Sequence, residues 1–133
     1  MELIKIEEDK EKAKSLVKLA NLRYSKIDMY DLEKESSLLA EAYYEICKEL
    51  ITAILFCDGY KTLSHKDLIE YIKMHYGEFK EHETEILNTL RIKRNQLVYY
   101  GSELPPFYIK KNKMNIEKII TKLKKILNKK ISK

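Results

Sequence analysis

Arg91, Arg94, Asn95, Tyr99 and Tyr100 stand close together just ahead of Gly101, and their chemical types suit the handling of a phosphodiester. A guanidinium presents a planar fork of donors that matches two phosphate oxygens and stabilises charge developing on them. An amide beside it can orient the phosphate, and a phenol can donate a hydrogen bond or stack on a base. Periodicity makes Arg94 the sharpest of the group. With Ile86 as zero on a helical wheel, Leu97, Leu90, Leu87 and Val98 fall between about 20° and 120°, and Arg94 lies inside that arc at about 80°. A permanent charge among leucines is costly unless it is paired or faces a wet groove or an interface. Two readings follow from this placement. Arg94 faces a wet groove or an interface, or it pairs with an acid such as Glu41 or Glu45 and fixes bundle register, while Arg91, one turn earlier, either widens a positive patch or is a solvated charge near the helix end.

The elements that must hold these residues read as helices. Three Gly and two Pro in 133 residues leave little room for the turns of an all-β fold. An outer amphipathic helix is expected from about residue 7 to 26, with Ala13, Leu16, Val17, Ala20 and Tyr24 inward, then an irregular connection over 27–35. Ser36 or Ser37 is placed to cap a core helix running to Asp58, which carries Leu39, Ala42, Tyr43, Ile46, Leu50, Ala53, Ile54 and Cys57 at 3-and-4 spacing. Gly59 is its left-handed stop, and residues 60–63 form a short link. Ser64 and Asp67 have capping-box spacing ahead of a short helix over about 65–76 that Gly77 ends. A fourth helix spans about 79–100, acidic at its start and basic toward its end as the dipole favours. Ile92 and Tyr99 give it a second apolar face, expected either centrally in a bundle or against a second subunit. Pro105 and Pro106 predict an extended segment over 102–111, and a last helix follows over about 114–129. The expected fold is a single all-α domain, 1–133, an antiparallel bundle of four main helices and one short one with the second and fourth at the centre.

The string Arg94-Asn95-Gln96-Leu97-Val98-Tyr99-Tyr100-Gly101 resembles the signature of the higher eukaryotes and prokaryotes nucleotide-binding (HEPN) superfamily. In that superfamily an Arg followed by Asn or Asp begins a motif that ends on His, commonly written R-N-x-L-V-H. Leu39-Ala40-Glu41-Ala42-Tyr43-Tyr44, then Ala53-Ile54-Leu55 ahead of Gly59, and Ser64-His65-Lys66-Asp67-Leu68-Ile69 are similar to its second helix and the start of its third. The resemblance covers roughly residues 36 to 101. It implies a HEPN-like helical bundle acting as a homodimer, and an RNA-binding or RNA-cleaving protein, a metal-independent endoribonuclease in active members. Catalytic roles carry over to Arg94, Asn95 and Tyr99, and phosphate binding to Arg91, Arg94 and Tyr100. The resemblance also implies the toxin half of a toxin–antitoxin pair whose partner is a minimal nucleotidyltransferase. Tyr99 departs from the pattern, standing where the superfamily has its histidine. An imidazole titrates near neutrality and can relay the ribose 2′-hydroxyl proton, whereas a phenol of pKa about 10 is a poor base. The alternative is a catalytically inactive interaction or nucleotide-binding module that keeps the dimeric fold.

Other chemistries are poorly served by this chain. His65, His75 and His82 have no metal-ligand spacing, and phosphate loops and nucleophile elbows are absent, so neither a metal nor a cofactor is expected. Cys47 and Cys57, ten residues apart on one helix, sit about 15 Å from each other and cannot bond. Reduced thiols suit a cytoplasmic setting, and no apolar run is long enough for a membrane span. Charge is uneven: residues 110–133 hold ten Lys and one acid, +9, while residues 1–109 hold 16 basic and 20 acidic side chains, −4. That lysine-rich C-terminal helix either attracts RNA through counterion release or is a solvated face. Among ten tyrosines, Tyr43, Tyr44, Tyr99, Tyr100 and Tyr108 either line a groove for bases or pack at the rim of the core.

Overall fold

The computed structural model describes residues 1–132: five α-helices and one pair of two-residue strands. The all-α bundle expected from composition is what forms. Helix α1 (Lys10–Tyr24) starts where the Asp9 carboxylate accepts from Lys12 N at 2.9 Å. It buries Ala13 and Ala20 and rests Leu16, Val17 and Tyr24 against the core, so two small residues allow close approach to its neighbour. A 3-10 turn, Ile27–Met29, occupies the connection read as irregular.

Helix α2 (Ser36–Asp58) is the central element, packed along α1 on one side and α5 on another. Tyr43, Ile46, Leu50 and Ile54 are fully enclosed, which is the stripe that the spacing predicts. Ser36 and Ser37 do something other than cap it. Ser36 Oγ donates to Leu104 O at 2.6 Å and Ser37 Oγ accepts from Leu104 N at 2.8 Å. Leu104 is buried after the end of the fourth helix, and its backbone groups have no helical partners, so the two hydroxyls satisfy them instead. Gly59 ends α2 with φ of 86°, as expected. A Cβ there would also lie 3.1 Å from Ile6 O, because the N-terminal strand β1 (Ile4–Lys5) pairs antiparallel with β2 (Tyr60–Lys61), Ile4 facing Lys61. Two-residue strands have no alternation to read, and the segment 60–63 is a link only in sequence.

Helix α3 (His65–His75) has its cap on Ser64, whose Oγ accepts from Asp67 N at 3.3 Å. The reciprocal half of the box is missing because Asp67 accepts from Glu2 N instead, at 2.9 Å. Gly77 does not adopt a left-handed conformation, and α3 closes on Tyr76 N donating to Ile72 O. Helix α4 (Glu81–Tyr100) buries Glu83, Thr84, Leu87 and Leu90 and then emerges, so that beyond Leu90 its remaining turns are half-buried or exposed. The expectation that α4 shares the centre with α2 therefore holds only for its first half.

The other half of the core is filled by α5 (Pro106–Ile131), which begins eight residues earlier than the proline pair suggests. Pro106 sits at the first helical position, where a missing N–H is harmless and a fixed φ is already helical. Residues 107–109 are thus helical, not extended, and Tyr108 and Ile109 are buried. Glu117, the one acid of the lysine-rich segment, accepts from Tyr24 OH and Tyr43 OH at 2.9 Å each and ties α1, α2 and α5 together.

Glu83 is the most enclosed acid of α4, with a side chain 4% exposed. It accepts from Lys80 N at 2.9 Å and from Lys122 Nζ at 2.7 Å. Burial pushes its pKa up, but the Lys122 and Lys80 hydrogen bonds outweigh burial and hold it below the ordinary value. A folded pKa below the unfolded one adds stability above the unfolded value and loses it as pH falls. Glu83→Gln is therefore expected to melt below wild type at pH 7, with the difference shrinking below about pH 4. Thermal melts from pH 3 to 7 measure this, and a pH-independent difference would refute it.

Candidate functional site

Of the residues picked out by chemistry, Arg94 and Asn95 meet Glu45 where the middle of α2 faces the second half of α4. Glu45 is the hub. Its Oε1 is 3.0 Å from Arg94 Nη2 and its Oε2 is 2.6 Å from Lys48 Nζ, one turn along α2. The Arg94 side chain keeps only 16% exposure, so it points inward as the wheel predicts. Of the two acids considered from sequence, Glu45 is its partner. Arg94 Nη1 donates to Asn95 Oδ1 at 3.3 Å, and the guanidinium carbon lies 5.6 Å from the Tyr44 ring centroid, within cation–π range.

Two cations, Lys48 and Arg94, thus share one carboxylate, while Arg23 is bound to Glu49 at 2.8 Å. The Nε atoms of Arg91 and Arg94 are buried without an acceptor, a costly state for a charged donor. Burial raises the Glu45 pKa, yet the Lys48 hydrogen bond and the Lys48, Arg94 and Arg23 charges outweigh it, and the carboxylate stays well ionised. Glu49 behaves oppositely: burial dominates its single Arg23 bond, its pKa rises, and its Oε1 has no donor.

Glu45→Ala removes the shared acceptor of two cations. Breaking a buried pair from one side costs 3–5 kcal/mol when fully enclosed, and the small residual exposure here reduces that to about 2–3 kcal/mol. Urea unfolding should show a lower midpoint with an unchanged slope, and an unaltered midpoint would mean the pair contributes nothing.

The histidine in this neighbourhood is one that spacing did not reveal. His65, at the start of α3, lies with its ring centroid 6.0 Å from that of Tyr44. Burial together with Lys48 and Arg94 lowers its pKa, which keeps the imidazole neutral at physiological pH. Burial pushes the Tyr44 phenol up to about 12, with Arg94 and Arg91 opposing. Only an aromatic neighbour links His65 to Arg94, and such a contact has no signature in sequence.

Tyr99 and Tyr100 stand apart. They are 69% and 81% exposed in the last turn of α4, which Gly101 ends with φ of 65°. Five residues beyond Arg94, Tyr99 is turned about 140° from it and displaced about 7.5 Å along the axis. Ile92 is also exposed on this part of α4, so the second apolar face is uncovered in the single chain, and Val98, which the wheel placed on the inward arc, is exposed too because α4 has emerged from the bundle by this turn. Of the five tyrosines considered for a groove, Tyr43 and Tyr44 are core, Tyr99 and Tyr100 are on open surface, and Tyr108 borders a cleft between α4 and α5.

The lysine-rich helix uses part of its charge internally. Lys122 holds Glu83, Lys130 holds Asp58, Lys110 pairs with Glu33, and Lys124 lies 4.2 Å from the Tyr24 ring centroid. Among the described residues no group of His, Cys, Asp and Glu could hold a metal ion, and no helix is long and apolar enough to cross a membrane. Cys47 and Cys57 are free thiols buried in the core. No protein-family model matches the chain, and neither a curated protein nor a solved structure matches it at a significant level.

Proposed function

We propose that this chain is a HEPN-type RNA-binding protein in which Arg91 and Arg94 meet the phosphate backbone and the histidine-dependent cleavage step is weakened or lost at Tyr99. The observation that carries the reading is the excess of positive charge around Glu45, with two guanidinium Nε atoms lacking acceptors. A phosphate arriving there meets positive charge that the single Glu45 carboxylate leaves unbalanced. Fluorescence anisotropy with a labelled single-stranded RNA tests it. Arg91→Ala should weaken binding about tenfold, the worth of one charge-assisted hydrogen bond, and Glu45→Gln should tighten it by releasing Arg94 from its partner. Identical affinities for all three proteins would end the reading. In a toxin–antitoxin setting the partner is a minimal nucleotidyltransferase, and co-purification of the two chains is the corresponding test.

A second reading is favoured by a different observation, the uncovered apolar face of α4 at Ile92 and Tyr99, with Tyr100 exposed beside it. In this reading the Arg94–Glu45 pair is structural and the chain is a dimeric interaction or nucleotide-binding module. Aromatic residues on an exposed helix face are typical anchors of a twofold interface. Light scattering that finds only monomer in dilute buffer would remove the dimer from either reading.

A further inference from the structure

Five lysines of α5 stand on one line. With Lys111 as zero, Lys118, Lys122, Lys125 and Lys129 all fall within about 40° of it around the helix, spread over about 27 Å of axis. Lys122 is held by Glu83, but Lys111, Lys118, Lys125 and Lys129 are exposed and make no ion pair among the described residues. None of these four has a carboxylate three or four residues away, and Lys118–Lys122 and Lys125–Lys129 are like charges at i, i+4, an arrangement that works against the helix. Glu117, the one acid of the segment, is taken by Tyr24 and Tyr43. The stripe is therefore left uncompensated by the fold. Clefts of about 510 Å³, against Glu85, Thr89 and Lys93 of α4, and about 410 Å³, against Tyr76 and Glu78, open beside its two ends, with Glu85 and Glu78 as their bordering carboxylates.

We infer that this stripe is a rail for the phosphodiester backbone of single-stranded RNA, held through Lys111, Lys118, Lys125 and Lys129 without regard to base. Ammonium groups on flexible stems meet phosphates as point charges, and the release of counterions from the strand drives the contact. The clefts give riboses and bases room beside the rail. Other partners fit the surface less well. Protein–protein interfaces deplete lysine and are built on apolar anchors, whereas between residues 118 and 129 the exposed side chains are Lys118, Thr121, Lys125, Asn128 and Lys129. The exposed Phe107 and Met114 lie nearer the start of α5, ahead of Lys118. A helix lying on a membrane needs a free apolar face, and that of α5, from Ile109 to Leu127, is buried in the bundle. The inference rests on RNA binding as proposed above, but its residues are separate from Arg91 and Arg94.

The test is anisotropy of fluorescein-labelled decamers of oligoadenylate and oligouridylate across a salt series. Wild type should bind the two within about twofold of each other, since phosphate contacts carry no sequence information; a preference above about fivefold would show base readout and overturn a sequence-neutral rail. Replacing Lys111, Lys118, Lys125 and Lys129 together by Gln should flatten the slope of log affinity against log salt by about 2.8, or 0.7 for each single-strand contact, so that the loss of affinity between 50 and 200 mM salt becomes about fiftyfold smaller. Gln is close to Lys in helix propensity, and the melting temperature without RNA should not fall. A second variant, with Lys18, Lys26, Lys66 and Lys73 replaced by Gln, has the same net charge, and its four positions are exposed and outside any ion pair among the described residues. Its slope should match wild type; equal flattening in both variants would mean general attraction and overturn the rail. Lysine-dependent binding to phosphatidylserine vesicles, with an RNA slope unmoved by the α5 substitutions, would assign the stripe to a membrane and overturn it too. RNA binding that depends on Arg91 but keeps its slope in the α5 variant overturns the rail and leaves the Arg91–Arg94 reading standing. Dependence on the α5 lysines without dependence on Arg91 does the reverse, and absence of binding to either decamer removes both.

Discussion

Tyr99→His is expected to raise RNA cleavage by about 10²–10⁴-fold over wild type, the range that a positioned general acid–base group contributes. The expectation belongs to the reading in which this chain is a weakened HEPN-type nuclease. An imidazole at residue 99 could accept the 2′-hydroxyl proton as that oxygen attacks phosphorus, then return a proton to the departing 5′-oxygen. Tyr99 is 69% exposed and its side chain makes no hydrogen bond among the described residues, so the replacement disturbs no side-chain bond, and stability should be unchanged within about 0.5 kcal/mol. Arg94→Ala in the Tyr99→His background should abolish the gain, since the guanidinium is the group assigned to charge on the phosphate. A companion variant, His65→Gln, separates the two histidine positions: if it removes cleavage already present in wild type, the base is the imidazole beside Tyr44 and not residue 99. Equal trace activity in wild type, Tyr99→His and Arg94→Ala would identify a contaminant and leave this chain without a nuclease site.

Asp58→Ala carries the largest stability effect expected outside the apolar core. The Asp58 carboxylate sits at the C-terminal end of α2, where the helix dipole disfavours negative charge. Three donors from two other elements offset that: Tyr71 OH at 2.7 Å, Tyr76 OH at 2.5 Å and Lys130 Nζ at 2.6 Å. Burial and the Asp58 hydrogen bond both push the Tyr71 and Tyr76 phenols upward, which keeps them protonated as donors. Lys130 also lies 5.4 Å from the Tyr76 ring centroid. Removing the acceptor leaves the hydroxyls of buried Tyr71 and half-buried Tyr76 and an ammonium without it, a loss of about 3 kcal/mol when the bonds are treated as one network. For a chain of this size that is a fall of about 10 °C in Tm. Asp58→Asn, which keeps one acceptor oxygen, should recover about half. A Tm within 2 °C of wild type for Asp58→Ala would show that solvent replaces the network at little cost.

Helix positions were legible because their signals are local. The α2 stripe, the Gly59 stop and the Ser64 cap all depend on residues within one or two turns of each other, and each appears where expected. The misreading at Pro105 and Pro106 has the same origin. A proline pair breaks a helix that precedes it and also starts the one that follows, and neighbouring residues alone do not decide between the two. The decision came from Tyr108 and Ile109, which are buried when the first turn of α5 packs into the bundle. Ser36 and Ser37 make the same point, since each hydroxyl was better used by a buried backbone 68 or 67 residues away than by its own helix end.

What the amino-acid order determined by itself is the all-helical class and the inward direction of Arg94, both of which follow from 3.6-residue periodicity and residue type. What only the tertiary structure decided is which partner meets each inward or exposed group: Glu45 for Arg94, Tyr44 for His65, Asp58 for two tyrosines and a lysine, and open solvent for Tyr99 and Tyr100. Those pairings depend on how α2, α3, α4 and α5 cross, and crossing geometry is set by the packing of whole faces against one another, a property that no single stretch of the chain contains.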